Sequence, residues 1–184
     1  MKHQRLVVMI EISLMAALSI ILSYVQFGAL WAMGGSISLI MIPIFVIAFR
    51  RGWKAGALTG FIVGLLQLFT GATIVHPVQL VLEYPVAYTV LGTAGLFVTS
   101  RSFAKGVPYV SIVIGVLAAA LLRFIDHFAS GVIWFGAYAG DMPVVLYSAV
   151  YNASYLIPEA LITIVIIVLL AKYSPAFFRA PKTL

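Results

Sequence analysis

Residues 146–171 read LYSAVYNASYLIPEALITIVIIVLLA, a run in which Glu159 is the only charged side chain. A helix needs about 20 mostly apolar residues to cross the hydrocarbon core of a membrane, so this run predicts a membrane-spanning helix. Comparable apolar runs cover residues 7–27, 36–50, 54–71, 78–98 and 108–135. We therefore predict an all-α membrane protein in which residues 1–184 form a single domain, a bundle of six transmembrane helices.

The composition supports the same fold class. The chain has 184 residues, of which 64% are hydrophobic and 9% are charged, whereas a soluble domain carries roughly 25% charged residues. The isoelectric point is near 9.7, but the basic residues fall in short clusters between the apolar runs. This distribution does not form the continuous basic stripe of a nucleic-acid-binding face. The absence of cysteine excludes disulfide bonds and thiolate nucleophiles.

The basic loop residues predict the orientation of the chain. Ten of the eleven Lys and Arg residues fall on one side of a six-span bundle, namely Lys2, Arg5, Arg50, Arg51, Lys54, Arg101, Lys105, Lys172, Arg179 and Lys182. The alternate connections, 28–35, 72–77 and 136–145, contain neither Lys nor Arg. Because Lys and Arg accumulate in cytoplasmic loops, we expect both termini to be cytoplasmic and the protein to lie in the cell (cytoplasmic) membrane.

Four polar residues that lipid would exclude lie at similar depths in the predicted outer half of the membrane, counted at about 1.5 Å per residue. They are Glu83, His127, Tyr147 and Asn152, on three different spans. Aromatic residues crowd the same zone: Trp31, Tyr84, Trp134, Phe135, Tyr138, Tyr147 and Tyr151. For any single aromatic residue, a place in the interfacial belt is an equally good interpretation. A carboxylate beside aromatic faces suits a flat, positively charged ligand, so we predict a pocket open to the outside.

Two charged residues, Arg123 and Glu159, lie deeper, near the middle of their spans. Because a charge in hydrocarbon needs a partner, we favour a neutralising pair, in which Arg123 pairs either with Glu159 or with Asp126 on its own helix. The alternative is a relay through Arg123, Asp126 and Glu159 in an autonomous proton-coupled carrier. Glu11 lies near the cytoplasmic end of the first span, where we expect it to be partly solvated.

The sequence contains no strong catalytic or nucleotide-binding motif. The patterns G-x-x-x-x-G-K-[ST], H-E-x-x-H and G-x-S-x-G are all absent. Ser130 lies three residues after His127, which leaves an intramembrane hydrolase as a distant alternative. His127, Asp126 and Glu83 are potential metal ligands, but their spacing has no metal-binding signature. We predict that the protein is not an enzyme and that it holds neither a metal nor a cofactor.

Several short segments along nearly the whole chain are distinctive in their order and spacing. They are Glu11-Ile-Ser-Leu-Met-Ala-Ala17, Ile42-Pro-Ile44 with Arg50-Arg51-Gly52, Leu82-Glu-Tyr84, Gly92-Thr-Ala-Gly-Leu-Phe97, His127-Phe128 with Gly131, and Tyr147 followed by Asn152. In these segments the chain resembles the thiamine-specific membrane subunit, or S component, of energy-coupling-factor vitamin importers. The resemblance implies six helices with both ends inside, and high-affinity binding of thiamine on the outer side of the membrane.

The resemblance also implies a substrate-binding site. In that site Glu83 hydrogen-bonds the aminopyrimidine ring of thiamine, and an aromatic residue after Gly131 stacks on the ligand, for which Trp134 and Phe135 are both candidates. Together with the aromatic zone, this gives the predicted substrate-binding residues: Glu83, Tyr84, His127, Gly131, Trp134, Phe135, Tyr147, Asn152 and Trp31.

Partners follow from the same resemblance: a transmembrane coupling protein and two ATPase subunits, in agreement with the missing phosphate loop. In the family, small residues spaced by four on the first helix meet the coupling protein, and Ser13 and Ala17 match this spacing. Ordinary helix packing explains these two residues equally well. A related subunit for another vitamin or precursor is the other interpretation within this class of importers.

Overall fold

The computed structural model describes residues 2–27, 31, 34–98, 100 and 102–179. Its helices are α1 (Lys2–Ser23), α2 (Met41–Arg51), α3 (Trp53–Gln67), α4 (Pro77–Val81), α5 (Ala87–Thr89), α6 (Tyr109–Trp134) and α7 (Val144–Tyr173). A π-helical turn (Leu82–Val86) joins α4 to α5, and a 3₁₀ helix (Val90–Leu96) follows α5 directly. We call this continuous stretch, residues 77–96, the composite helix. Short 3₁₀ turns cover Ser102–Lys105, Gly136–Tyr138 and Pro175–Phe178.

Three helices in the described part of the chain are long and apolar enough to cross a membrane. They cover Gln4–Ser23, Tyr109–Trp134 and Val144–Tyr173, and they agree with three of the predicted spans to within a few residues. The other predicted spans correspond to shorter or composite helices. The count of six spans and the cytoplasmic position of the termini therefore stay predictions. Arg101 and Lys182, which contributed to the predicted orientation, lie outside the described residues.

A short antiparallel ribbon is the main departure from the predicted all-α pattern. Gln26–Phe27 (β1) pairs with Ile37–Ser38 (β2), with Gln26 opposite Ser38, although the sequence predicted helix through residue 27 and again from residue 36. Helix α1 ends at Ser23, whose carbonyl accepts a hydrogen bond from the side-chain amide of Gln26 at 3.0 Å. This contact satisfies one of the carbonyls that a helix C-terminus leaves free.

Helix α2 forms the centre of the bundle. Almost all of its residues are buried, and it contacts α1, α3, the composite helix and α7. A helix that is apolar on every side is expected at such a position. Gly52 ends α2 with φ of 97°, a conformation that glycine adopts without steric cost, and α3 begins at the next residue.

A glycine face on α3 positions the composite helix. Gly56, Gly60 and Gly64 repeat every four residues, and a Cβ atom at Gly60 or Gly64 would collide with the backbone of Tyr88 or Tyr84. Small residues at this spacing allow two helices to approach to backbone contact. The close approach fixes the depth and rotation of the stretch that carries Glu83.

An ion-pair cluster ties α1 to the end of α2. Arg50 Nη2 lies 3.0 Å from Glu11 Oε1, and Arg51 Nε lies 2.6 Å from Glu11 Oε2. Arg50 also donates to the carbonyl of Phe177. Glu11 is held by two guanidinium groups and remains partly exposed, as expected, and Arg50 connects this cluster to the turn Pro175–Phe178.

Candidate ligand-binding site

A cavity of about 240 Å³ opens between the ribbon, the end of α3, the composite helix, α6 and α7. Its lining is rich in residues with polar and aromatic side chains, and two carboxylates, Glu83 and Glu159, belong to it. Concave sites with a few convergent polar groups among aromatic faces are typical of small-molecule binding. The cavity is therefore the candidate functional site.

The π-helical turn presents Glu83 to this cavity. Pro85 lies within the turn and lacks the N–H that a regular helix requires, and its ring displaces the carbonyl one turn earlier, which widens the helix locally. Single π turns of this kind are frequent at functional sites. The neighbouring Tyr84 is held by its hydroxyl group, which accepts a hydrogen bond from the Thr73 amide at 2.8 Å.

Glu83 is the uncompensated charge of the cavity. Its carboxylate accepts hydrogen bonds from two neutral donors, Ser130 Oγ at 2.6 Å and Gln79 Nε2 at 2.5 Å. Among the described residues, no cation forms an ion pair with it. A partly buried carboxylate held only by neutral donors remains able to attract a positively charged ligand.

The second carboxylate, Glu159, is neutralised by Arg123 at the base of the cavity. Arg123 Nη1 lies 3.2 Å from Glu159 Oε2, and both side chains are almost fully buried. Ser38 Oγ donates to the other oxygen of Glu159 at 2.9 Å. Arg123 also donates to the Tyr88 hydroxyl and stacks over that ring, with its guanidinium carbon 4.5 Å from the centroid. Of the two partners considered from the sequence, Arg123 pairs with Glu159.

His127 and Asn152 meet where α6 contacts α7. Arg123 Nε donates to His127 Nε2 at 3.3 Å, so that nitrogen acts as the acceptor of a neutral imidazole. The Asn152 amide donates to the His127 carbonyl, and its oxygen accepts from the Tyr155 hydroxyl at 2.7 Å. Gly131 allows α6 and α7 to approach this closely, because a Cβ atom at that position would collide with Ser148 Oγ.

Three tyrosines form an aromatic wall along α7. Tyr147, Tyr151 and Tyr155 follow one another at four-residue intervals, with centroid separations of 5.6 and 6.2 Å. The Tyr151 hydroxyl donates to the Gly34 carbonyl at 2.6 Å, which joins the wall to the loop before β2. The wall offers ring faces to a ligand in the cavity.

Seven of the nine predicted substrate-binding residues line the cavity: Glu83, Tyr84, His127, Gly131, Phe135, Tyr147 and Asn152. Trp134 instead stacks on His76, with ring centroids 5.4 Å apart. Trp31 packs edge-to-face on the cavity residue Tyr155 at 5.9 Å, and its indole N–H donates to Ser154.

Phe135, rather than Trp134, belongs to the lining. His127, Gly131 and Phe135 are spaced i, i+4 and i+8, and the Phe135 amide still donates to the Gly131 carbonyl at 3.2 Å. Helix α6 ends at Trp134, however, and Phe135 has the non-helical dihedral angles φ −111° and ψ 14°, so helical periodicity alone does not determine which of the two rings faces the cavity. From the sequence, Trp134 and Phe135 were both candidates for the stacking ring.

Several residues that were not singled out from the sequence belong to the site or support it, and four of them have polar or aromatic side chains that bear on the argument. Tyr155, Tyr88 and Ser38 line the cavity, and Gln79 donates a hydrogen bond to the carboxylate of Glu83. The four-residue spacing of the α7 tyrosines was a signal for Tyr155. Gln79 lies four residues before Glu83, a spacing that places two side chains on one helix face.

Two sequence alternatives can be compared with the geometry. The Ser130 hydroxyl, the nucleophile of the hydrolase alternative, donates to Glu83 rather than to His127. Within the described residues, no three side chains of His, Cys, Asp or Glu come together as a metal-binding group.

Comparison with known proteins gives one consistent result. Residues 9–179 match the family model described as thiamine transporter protein. The chain is 41% identical over 190 residues to the thiamine transporter ThiT of Bacillus subtilis, covering 98% of each sequence. It is 32% identical to ThiT of Lacticaseibacillus paracasei, covering 97% of this chain and 94% of the relative. A solved structure of ThiT from Listeria monocytogenes superposes with a TM-score of 0.87 at 31% identity, covering 97% of this chain and all of that one.

Proposed function

The chain belongs to the thiamine transporter protein family, and from this premise we propose that its cavity captures thiamine for import. Its function is thiamine transport, and it is a membrane protein rather than an enzyme. The finer proposal is that it serves as the substrate-binding subunit of an ATP-driven importer and takes up thiamine on the outer side of the cell membrane.

The charge distribution in the cavity carries this proposal. Thiamine has two flat rings, and its thiazolium ring bears a permanent positive charge. Glu83 supplies a carboxylate that no described cation neutralises, whereas Arg123 neutralises the other carboxylate, Glu159. The cavity is therefore matched to a ligand with one positive charge, and the aromatic residues around it offer cation–π and stacking contacts.

We assign the ligand contacts accordingly. Glu83 binds the polar edge of the aminopyrimidine ring, and His127, Tyr147 and Asn152 line the same cavity. Phe135 is the stacking residue after Gly131, because it is buried and belongs to the lining, whereas Trp134 is engaged with His76. Trp31 packs on Tyr155 of the aromatic wall, and Tyr84 lines the cavity from the composite helix.

The proposed partners are a transmembrane coupling protein and two ATPases. Ser13 and Ala17 are exposed on α1, beside large exposed side chains such as Met9 and Leu14. This mixed small and large surface is suited to close helix packing in a membrane. We propose that it contacts the coupling protein, with six spans and both termini on the cytoplasmic side.

A thiamine titration of the detergent-solubilised protein tests the binding proposal. Thiamine should quench tryptophan fluorescence, since Trp31 packs on the cavity wall, and calorimetry should give saturable binding. Glu83→Gln removes the charge and should weaken binding by about 1.5–3 kcal/mol, the value of a hydrogen bond to a charged group. Glu11→Gln makes the same chemical change in the ion-pair cluster of Glu11, Arg50 and Arg51 and should leave thiamine affinity unchanged. Absence of both signals at micromolar thiamine would contradict the proposal.

An uptake experiment separates a partner-dependent subunit from an autonomous carrier. Arg123 and Glu159, two members of the proposed relay, are paired with each other, which favours a structural role. Proteoliposomes that contain only this chain should bind thiamine but accumulate none when a pH gradient is applied. Accumulation under these conditions would favour the proton-coupled carrier.

A further inference from the structure

Both oxygens of Glu83 are already engaged by the protein. Ser130 Oγ, from α6, donates to Oε1 at 2.6 Å, and Gln79 Nε2, one turn earlier in the composite helix, donates to Oε2 at 2.5 Å. An ionised carboxylate has about four acceptor sites, so each oxygen keeps capacity for another donor. The two protein donors thereby fix the plane of the carboxylate and the directions from which a ligand can bind it.

Gln79 is itself held in one orientation. Its side chain is fully buried; Nε2 also donates to the Thr73 carbonyl at 2.9 Å, and Oε1 accepts from the Val75 amide at 3.1 Å. If the amide were turned by 180°, its NH₂ group would face the N–H of Val75 and its oxygen would face the carbonyl of Thr73, and neither pair could form a hydrogen bond. Because buried unpaired polar groups are costly, the segment 73–75 compels Gln79 to present a donor to Glu83.

We propose that Gln79 is a positioning residue for substrate binding. The backbone of segment 73–75 fixes the orientation of the Gln79 amide, and the amide in turn fixes the orientation of the Glu83 carboxylate. Ser130, on α6, positions the other oxygen of the same carboxylate. The ligand then meets an acceptor whose plane is set before it arrives, so that less ordering is needed on binding. This role rests on the proposed function of the cavity in thiamine capture.

A purely structural role for Gln79 predicts a different pattern. If the amide only holds segment 73–75 in place, its loss should weaken binding whether or not Glu83 is present. If it acts through Glu83, its loss should matter only when the carboxylate is there. Interaction between two residues in one hydrogen-bond network is measured by a double-mutant cycle.

The experiment is such a cycle, with thiamine affinity measured by equilibrium dialysis up to millimolar concentration. The proteins are the wild type, Gln79→Met, Glu83→Ala and the double variant; methionine keeps the length of glutamine without its donor. In the wild-type background Gln79→Met should weaken binding about tenfold or more, as expected for a lost hydrogen bond to a charged group. In the Glu83→Ala background the same change should have little effect.

A second cycle guards against misfolding of the methionine variant. Ser130→Ala with Glu83→Ala should show the same dependence, and because Ser130 lies on α6 its loss leaves segment 73–75 untouched. Equal losses in both backgrounds, or no loss from Gln79→Met in the wild type, would overturn the positioning role while leaving thiamine capture intact. Failure of the wild type to bind thiamine would instead overturn the proposed function, and this role with it.

Discussion

Removal of Arg123 is the sharpest test of how this bundle tolerates charge in its interior. Arg123→Met deletes the guanidinium that lies 3.2 Å from Glu159 and donates to Tyr88 and His127. Methionine retains much of the apolar stem. The change leaves Glu159, which is 1% exposed, as a buried carboxylate with Ser38 as its remaining hydrogen-bond donor among the described residues.

The magnitude follows from this burial. Breaking a buried ion pair by removing one partner typically costs about 3–5 kcal/mol, because the other charge is left without compensation. The unfolding equilibrium constant should therefore rise roughly 10²- to 10⁴-fold. Removing both charges with Arg123→Met and Glu159→Met together should cost much less than the sum of the single changes, since neither charge is then stranded.

Reversible unfolding in mixed micelles of dodecyl maltoside and sodium dodecyl sulfate, followed by circular dichroism, measures these free energies. Tyr88→Phe is the matched control: it removes one hydrogen bond to the charged Arg123 and keeps the ring, so it should cost about 1.5–3 kcal/mol and less than Arg123→Met. A loss below about 1 kcal/mol for Arg123→Met, as for a solvent-exposed pair, would refute the reasoning. So would additive losses in the double variant.

Three further predictions concern the site and the ion-pair cluster of Glu11, Arg50 and Arg51. Phe135→Ala should weaken thiamine binding by about 1 kcal/mol or more through lost ring contacts, whereas Trp134→Ala should change affinity little; calorimetry that ranks them in the opposite order would reassign the stacking ring. Gly131→Ala places a methyl group against Ser148 and should destabilise the folded protein by about 1–3 kcal/mol. The unfolding midpoint should fall, and thiamine binding should weaken. An unfolding midpoint and an affinity equal to those of the wild type would show that α6 and α7 are not in tight contact there. Glu11→Gln should lower the unfolding midpoint because it removes the negative charge that pairs with Arg50 and Arg51, yet it should leave thiamine affinity unchanged. A change in affinity would mean that this cluster is energetically coupled to the cavity.

Hydropathy alone located the long helices. Helices α6 and α7 begin and end within a few residues of the predicted spans 108–135 and 146–171, because a long apolar run has no other stable arrangement in a membrane. The ribbon at 26–27 and 37–38 was missed, since it consists of a backbone pairing between residues about ten positions apart, which hydropathy does not report. The π turn was also missed, although Pro85 gave a hint of local irregularity.

For the site, the sequence identified the chemical groups, whereas the tertiary structure determined which residues they hydrogen-bond or form ion pairs with. A carboxylate, an imidazole and aromatic rings at one depth were visible from Glu83, His127 and Tyr147, because helical rise converts residue number into depth. Gln79 was not singled out, because its role depends on backbone groups of a loop that only the folded chain brings beside it.

The sequence by itself thus determined that this chain is a helical membrane protein and which polar groups lie within its apolar runs. Only the folded structure decided that Arg123 pairs with Glu159 rather than with Asp126, and that Phe135 rather than Trp134 faces the cavity. The physical reason is that apolarity and helical rise are properties of one segment. An ion pair or a cavity wall depends on distances of a few ångströms between helices, which are set by packing.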